Sequence, residues 1–173
     1  MNHVLVVNQM NNDLAAMTVD KFEDYDLDNV FSKLKNDDIL LWLSNSSNVE
    51  SQVFKLIDVI DDQNLKLKKM VMLVIAGVNG EIMIDQQEKL WGPDFENLIL
   101  DSQYAIKMID ELEMPYIIVR IPIVVNEETA VEISNEGSQF KGNQIGLHQL
   151  ADVVVEACLT DHYLNQSIGV SEG

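Results

Sequence analysis

The chain has 173 residues with 11 Lys/Arg against 29 Asp/Glu, a formal charge of −18, and 47% of its residues are hydrophobic. That length predicts a single domain over 1–173, and the apolar content excludes disorder as its main state. The acidic balance, with no Lys/Arg cluster, excludes nucleic acid and anionic membrane surfaces as natural partners.

The longest apolar run, Met70–Val78, is shorter than the roughly 20 residues a membrane-spanning helix needs. The start has no cationic segment ahead of its short apolar stretch, so it does not read as a secretory signal, and a cytoplasmic location is expected. The lone Cys158 forms no internal disulfide and sits in an apolar helical stretch, which predicts core packing.

Apolar, β-branched runs alternate with segments of helical period, the pattern of a parallel sheet flanked by helices. In chain order the expected strands are His3–Val7, Met17–Phe22, Ile39–Leu43, Met70–Ala76, Tyr116–Arg120 and a weaker Ser167–Val170. Ile39–Leu43, Met70–Ala76 and Tyr116–Val119 are almost continuously apolar, as strands covered on both faces must be. Ser47 and Glu50 have capping-box spacing, followed by Val53, Leu56, Ile57 and Ile60, which predicts a helix over about 48–62. Pro93 is placed for a first helical turn, and Ile99, Ala105, Ile106, Ile109 and Leu112 continue a stripe towards Glu113. Leu150, Ala151, Val153, Val154, Ala157 and Cys158 predict the last helix, and Asn126–Asn143 reads as a surface excursion.

Dinucleotide-binding sheets carry a glycine-rich turn after the first strand, because only glycine allows the tight turn and close approach to a pyrophosphate. No glycine precedes Gly77, and the corresponding turn is Asn8-Gln9-Met10-Asn11-Asn12-Asp13, with Asp13 adding charge of the wrong sign. Asp24, Asp26 and Asp28 imitate the opening of a calcium loop, but Asn29 and Lys35 stand at its sixth and twelfth positions, so an acidic turn and helix start is expected. His3, His148 and His162 have no ligand-spaced partners, and no metal site is expected; His148 reads as a helix-start or surface residue. No Gly-x-Ser-x-Gly elbow is present. Tyr104 and Lys107 share a helix face at a spacing of three, which makes them the weak candidates for an acid/base pair, with a plain surface pair as the alternative.

Several segments together, Lys69–Val78, Tyr116–Pro122, Gly137–Gly142, Leu150–Val154 and Gln166–Ser171, resemble the NmrA-like, atypical short-chain dehydrogenase/reductase group of NAD(P)-binding proteins. The resemblance covers roughly residues 17–171. It implies a Rossmann-like three-layer α/β sandwich, its mostly parallel sheet flanked by helices, here missing about one strand–helix unit near the N-terminus. On this reading His3–Val7 fills the centre of the sheet, the first helix and second strand are deleted, and Met17–Phe22 pairs beside it. Alternatively a partner chain fills a central gap. Three positions depart from the group's pattern: Val74 stands where a serine is frequent, the proline expected after Arg120 is displaced to Pro122, and Leu147 replaces an arginine.

The expected cleft lies at the strand ends formed by Asn8, Ser44, Asn45, Ala76, Gly77, Val78 and Arg120. Arg120 is its one cation able to hold a carboxylate or phosphate bidentately, unless a surface carboxylate claims it. The missing turn favours a protein that has lost standard NAD(P) binding, with no cofactor expected, acting as a binding or regulatory module. The alternative is an NAD(P)-dependent oxidoreductase with NADP or NAD held by an unusual or partner-supplied phosphate site. A reading frame that starts inside a longer gene is the third possibility. A homodimer is expected under all three, since a lost strand and helix would expose apolar surface.

Overall fold

The structure, a computed structural model, describes residues 2–173. Its main sheet contains β1 (Val4–Asn8), β2 (Tyr25–Asp28), β3 (Ile39–Leu43), β4 (Lys69–Ile75), β5 (Tyr116–Ile121), β7 (Glu132–Ser134) and β9 (Gln166–Ser171) in the order β2-β1-β3-β4-β5-β9-β7. All neighbours are parallel except β7, which runs antiparallel to β9. Two short strands, β6 (Ile123–Val125) and β8 (Gln144–Gly146), pair separately. The helices are α1 (Leu14–Val19), α2 (Val49–Gln63), α3 (Ile84–Trp91), α4 (Phe95–Glu111) and α5 (Leu147–Leu159).

Strand alternation sorts the core into two layers. Val4, Val6, Leu41, Val71, Leu73, Val119 and Ile168 pack under α1 and α5, while Leu5, Val7, Leu40, Trp42, Met72, Val74 and Ile118 pack under α2 and α4. This is the expected Rossmann-like three-layer arrangement. Cys158 is buried in the α5 layer, and burial pushes its thiol up to about 12, Lys69 nearby offsetting this only in part. Among the described residues no helix is long and apolar enough to cross a membrane.

β1 is not at the sheet centre, which is held by β4, but second from the edge between β2 and β3; it pairs directly with β3, Val4 to Ile39 through Asn8 to Leu43, so the sheet is continuous and no gap there awaits a partner chain. Two expectations around it are corrected. Met17–Phe22 is not a strand: Leu14, Ala15, Thr18 and Val19 recur at helical spacing, form the buried face of α1 and pack it on α5. The strand beside β1 is Tyr25–Asp28, so the acidic segment expected as a turn and helix start is instead a charged edge strand. The first helix is therefore shortened to six residues rather than deleted.

The remaining helices agree with the periodicity to within a few residues, with three differences. α2 starts after Asn48, and Ser47 donates its hydroxyl to Asn45 Oδ1 instead of closing a capping box with Glu50. α3 was not anticipated, and α4 begins two residues beyond Pro93. The excursion over 126–143 is mostly exposed, yet it contributes β7 and lays Phe140 over Gly169, where a Cβ would lie 2.3 Å from the ring.

Candidate functional site at the carboxyl ends of the strands

From β1 the chain moves outward to β2 and then crosses back to β3, so strand order reverses between β1 and β3. In open parallel sheets that crevice is the ligand site. Asn8 ends β1, Ser44 and Asn45 follow β3, and Ala76, Gly77 and Val78 follow β4, which brings these six expected residues to one edge of the sheet.

The turn after β1 is closed by its own hydrogen bonds. Asn8 Oδ1 accepts from the Met10 N–H at 3.2 Å, Asn12 Oδ1 from the Leu14 N–H at 3.0 Å, and the Leu43 carbonyl from the Gln9 N–H at 2.9 Å. The Gln9 carboxamide accepts from Trp42 Nε1 at 2.9 Å and donates to Gln52 Oε1 at 2.8 Å and to the Asn29 carbonyl at 3.1 Å. Gln9 thus ties the β1 end to β3, α2 and the β2 turn. A pyrophosphate needs free backbone N–H groups and compensating positive charge. Two of this turn's N–H groups, those of Gln9 and Met10, are committed, as is the Leu14 N–H that opens α1, and Asp13 stands at the start of that helix.

The β3 end is similarly occupied. Ser44 Oγ donates to the Leu73 carbonyl at 2.5 Å, and Asn45 Oδ1 accepts from the N–H and hydroxyl of Ser47.

Beyond β4 the loop folds over the sheet edge around Glu81, a residue the sequence reading did not single out. The Glu81 side chain is fully buried and pairs with Arg120 Nη1, also fully buried, while Gly77 N–H at 2.5 Å and Asn79 N–H at 3.2 Å donate to its other oxygen. Arg120 also donates from Nε to Ser167 Oγ at 2.9 Å and from Nη2 to the Ser167 carbonyl. Arg120 is therefore not the open cation expected in the cleft, and its partner is a buried rather than a surface carboxylate. Gly77 has φ +115°, and a Cβ there would lie 2.7 Å from Ile99 Cδ1. Val74 is core beneath α4, leaving no hydroxyl at that strand end.

Tyr104 and Lys107 do not join this edge. Tyr104 packs against Phe54 of α2 with the rings tilted and their centroids 5.8 Å apart, and Lys107 reaches Glu111 one turn on. His148 is exposed in the first turn of α5. Among the described residues no group of three or more His, Cys, Asp or Glu is placed to hold a metal.

An apolar cleft of about 290 Å³ opens beside the β4 end, lined by Ile84, Gln87, Phe95, Glu96, Ile99 and Leu100. Trp91 Nε1 donates to the Ala76 carbonyl and Gln87 Nε2 to the Ile82 carbonyl, which fastens α3 over the strand end and forms one wall.

Residues 6–161 match the model of the NAD(P)H-binding family. Among solved structures the chain is similar to a short-chain dehydrogenase/reductase from Veillonella parvula in complex with NADP, at 15% identity and TM-score 0.72 over 99% of this chain and 94% of that one. A Rossmann-fold NAD(P)-binding family protein from Shigella flexneri gives 12% and 0.70 over 100% and 96%. An oxidoreductase from Lactococcus lactis gives 14% and 0.67 over 99% and 91%. At these identities the likeness is one of fold. Among curated proteins none matches the chain.

Proposed function

Because this chain belongs to the NAD(P)H-binding family, we propose that it is an NAD(P)-dependent oxidoreductase whose diphosphate contacts are not those of a glycine-rich turn. The observation that carries this reading is the crevice between β1 and β3, which lies inside the family match and at the reversal of strand order where dinucleotides bind. An NADP complex among its structural neighbours adds support.

The Asn8–Asp13 turn does not fit a diphosphate in the usual way, since it has no glycine, its Gln9 and Met10 N–H groups are committed, and Asp13 repels it. The same observation favours a second reading, a member that has given up nucleotide binding and acts as a binding module. Titration of the full chain with NADPH and NADH by calorimetry separates the two. Saturable binding that shifts the amide resonances of Asn8, Asn45 and Gly77 supports the oxidoreductase. No heat and no shifts at high nucleotide concentration would sink it in favour of the module.

A further inference from the structure

We propose that the apolar cleft between α3 and α4 binds a neutral, mainly apolar small molecule. Calling that molecule the substrate rests on the oxidoreductase reading above; the binding site itself does not.

Position is the first argument. α4 enters from the carboxyl edge at Phe95 and runs down to Glu111 before β5 begins at Tyr116, so Phe95, Ile99 and Leu100 lie in its upper half, beside the β4 end. Ile99 and the Gln87 carboxamide are the atoms nearest to Gly77, and both also line the cleft. The cleft therefore shares Ile99 and Gln87 with the packing around Gly77 at the β4 end. Its volume of about 290 Å³ is close to the ~300 Å³ at which small-molecule sites begin.

Its surface chemistry is the second argument. Of the lining residues Ile84 is 73% exposed and Leu100 60%, so two large apolar side chains remain in water at one concavity. Covering them gains hydrophobic free energy that the folded chain leaves unused.

Charge is the third. No cation lines the cleft, and the one buried arginine near it is already neutralised by Glu81. A ligand carboxylate or phosphate there would meet Glu96 and no counter-charge, and an unpaired buried charge is costly. Gln87 and Glu96 are the polar groups left to orient a bound molecule.

The test uses the ¹⁵N-labelled full chain without nucleotide and a matched pair of probes, 2-acetonaphthone (neutral) and 2-naphthoate (anionic). The ketone should saturably shift the indole N–H of Trp91, but not that of Trp42, together with amides over 84–100. The naphthoate should bind at least about tenfold more weakly, as a difference of one unpaired charge requires. Leu100→Glu, at an exposed position that does not threaten folding, should weaken the ketone by about tenfold or more and leave the spectrum elsewhere unchanged. Four results would overturn the proposal: no saturable shift, shifts mapping elsewhere, equal binding of both probes, or a dimer in which residues 84–100 are covered by a second copy. If the ketone binds as described while NADPH and NADH do not, the site stands and the oxidoreductase reading alone falls.

Discussion

Glu81→Gln isolates one charge at the centre of the strand-end loop. The isosteric amide still accepts a hydrogen bond from Gly77 or Asn79, but it leaves the Arg120 guanidinium, with no exposed surface, facing only the Ser167 hydroxyl and carbonyl. Removing one partner of a buried ion pair costs about 3–5 kcal/mol, because the surviving charge stays desolvated without compensation. At roughly 2–4 °C per kcal/mol for a chain of this size, that is a fall in Tm of about 6–20 °C. Replacing both partners is expected to be milder, since Glu81→Gln combined with Arg120→Met leaves no stranded charge. Thermal and urea unfolding, followed by circular dichroism, of Glu81→Gln, Arg120→Met and the double variant give the cycle directly. The double variant should be more stable than either single one. A Glu81→Gln loss below about 0.5 kcal/mol, the level of an ordinary surface change, would refute the pairing as the loop's anchor, as would additive losses.

Four further outcomes are expected. His3 bridges Asp38 at 2.9 Å and Asp26 at 3.0 Å; burial lowers its pKa, but the hydrogen bond and charge of Asp38, with Asp24 and Asp26 adding, outweigh this and hold it above the ordinary histidine value. A raised folded pKa means the stabilisation is complete below the unfolded value near 6.5 and is lost as pH rises through the folded one. Unfolding measured across that window should therefore show a fall in stability that His3→Gln abolishes, and an unchanged slope would count against the bridge.

Lys69 Nζ donates to the carbonyls of Ala157, Cys158 and Thr160 at 3.0, 3.2 and 2.6 Å and so closes the C-terminus of α5. Lys69→Met should cost about 2–4 kcal/mol in urea unfolding, from lost charge-assisted bonds and orphaned carbonyls, and a neutral result would contradict that role. Cys158, buried and with its thiol pushed up to about 12, should resist a thiol reagent at pH 8 until the chain unfolds; rapid native labelling would show otherwise. Finally, with a net charge of −18 and Asp13 at the turn, any NADPH affinity should rise with added salt as repulsion is screened, opposite to what a basic phosphate cradle gives.

How legible this molecule was from sequence depended on the range over which each feature is determined. The central strands were plain because Leu40–Leu43 and Val71–Val74 are buried on both faces and so cannot be other than apolar. Met17–Phe22 misled because a short apolar run does not reveal its period; the contact with α5 that makes it helical is made by residues more than a hundred positions away. β2 escaped because an edge strand needs little apolar surface, and its Asp residues read equally well as a turn. Asn8, Ser44, Asn45, Ala76, Gly77 and Val78 do lie at strand ends, but Arg120 is buried, and the partners of these residues were not visible. Glu81 and Arg120 lie 39 residues apart, and only the fold shows that they neutralise each other. A single local clue existed: a glutamate beside Ile82, Met83 and Ile84, four residues after Gly77, is an acid in apolar company.

The two ends of the crevice lead to different chemical conclusions from one principle, the cost of a charge without a partner. At the β1 end, the Gln9, Met10 and Leu14 N–H groups are held by the Leu43 carbonyl, Asn8 and Asn12, and the Asp13 carboxylate adds a like charge against an incoming phosphate. At the β4 end, Glu81 already satisfies Arg120 and two backbone donors, and beside them lies apolar surface in contact with water. Anions are thus disfavoured at these two ends, while apolar matter is favoured at one of them. For a nucleotide to bind, its adenosine and nicotinamide moieties would have to supply what the diphosphate does not, through stacking and hydrogen bonds at the β1 and β3 ends. A neutral apolar ligand faces no such demand, because Ile84 and Leu100 offer their surface without any internal bond to break. The α3–α4 cleft is for that reason the part of the site whose occupancy depends least on how the nucleotide question is answered.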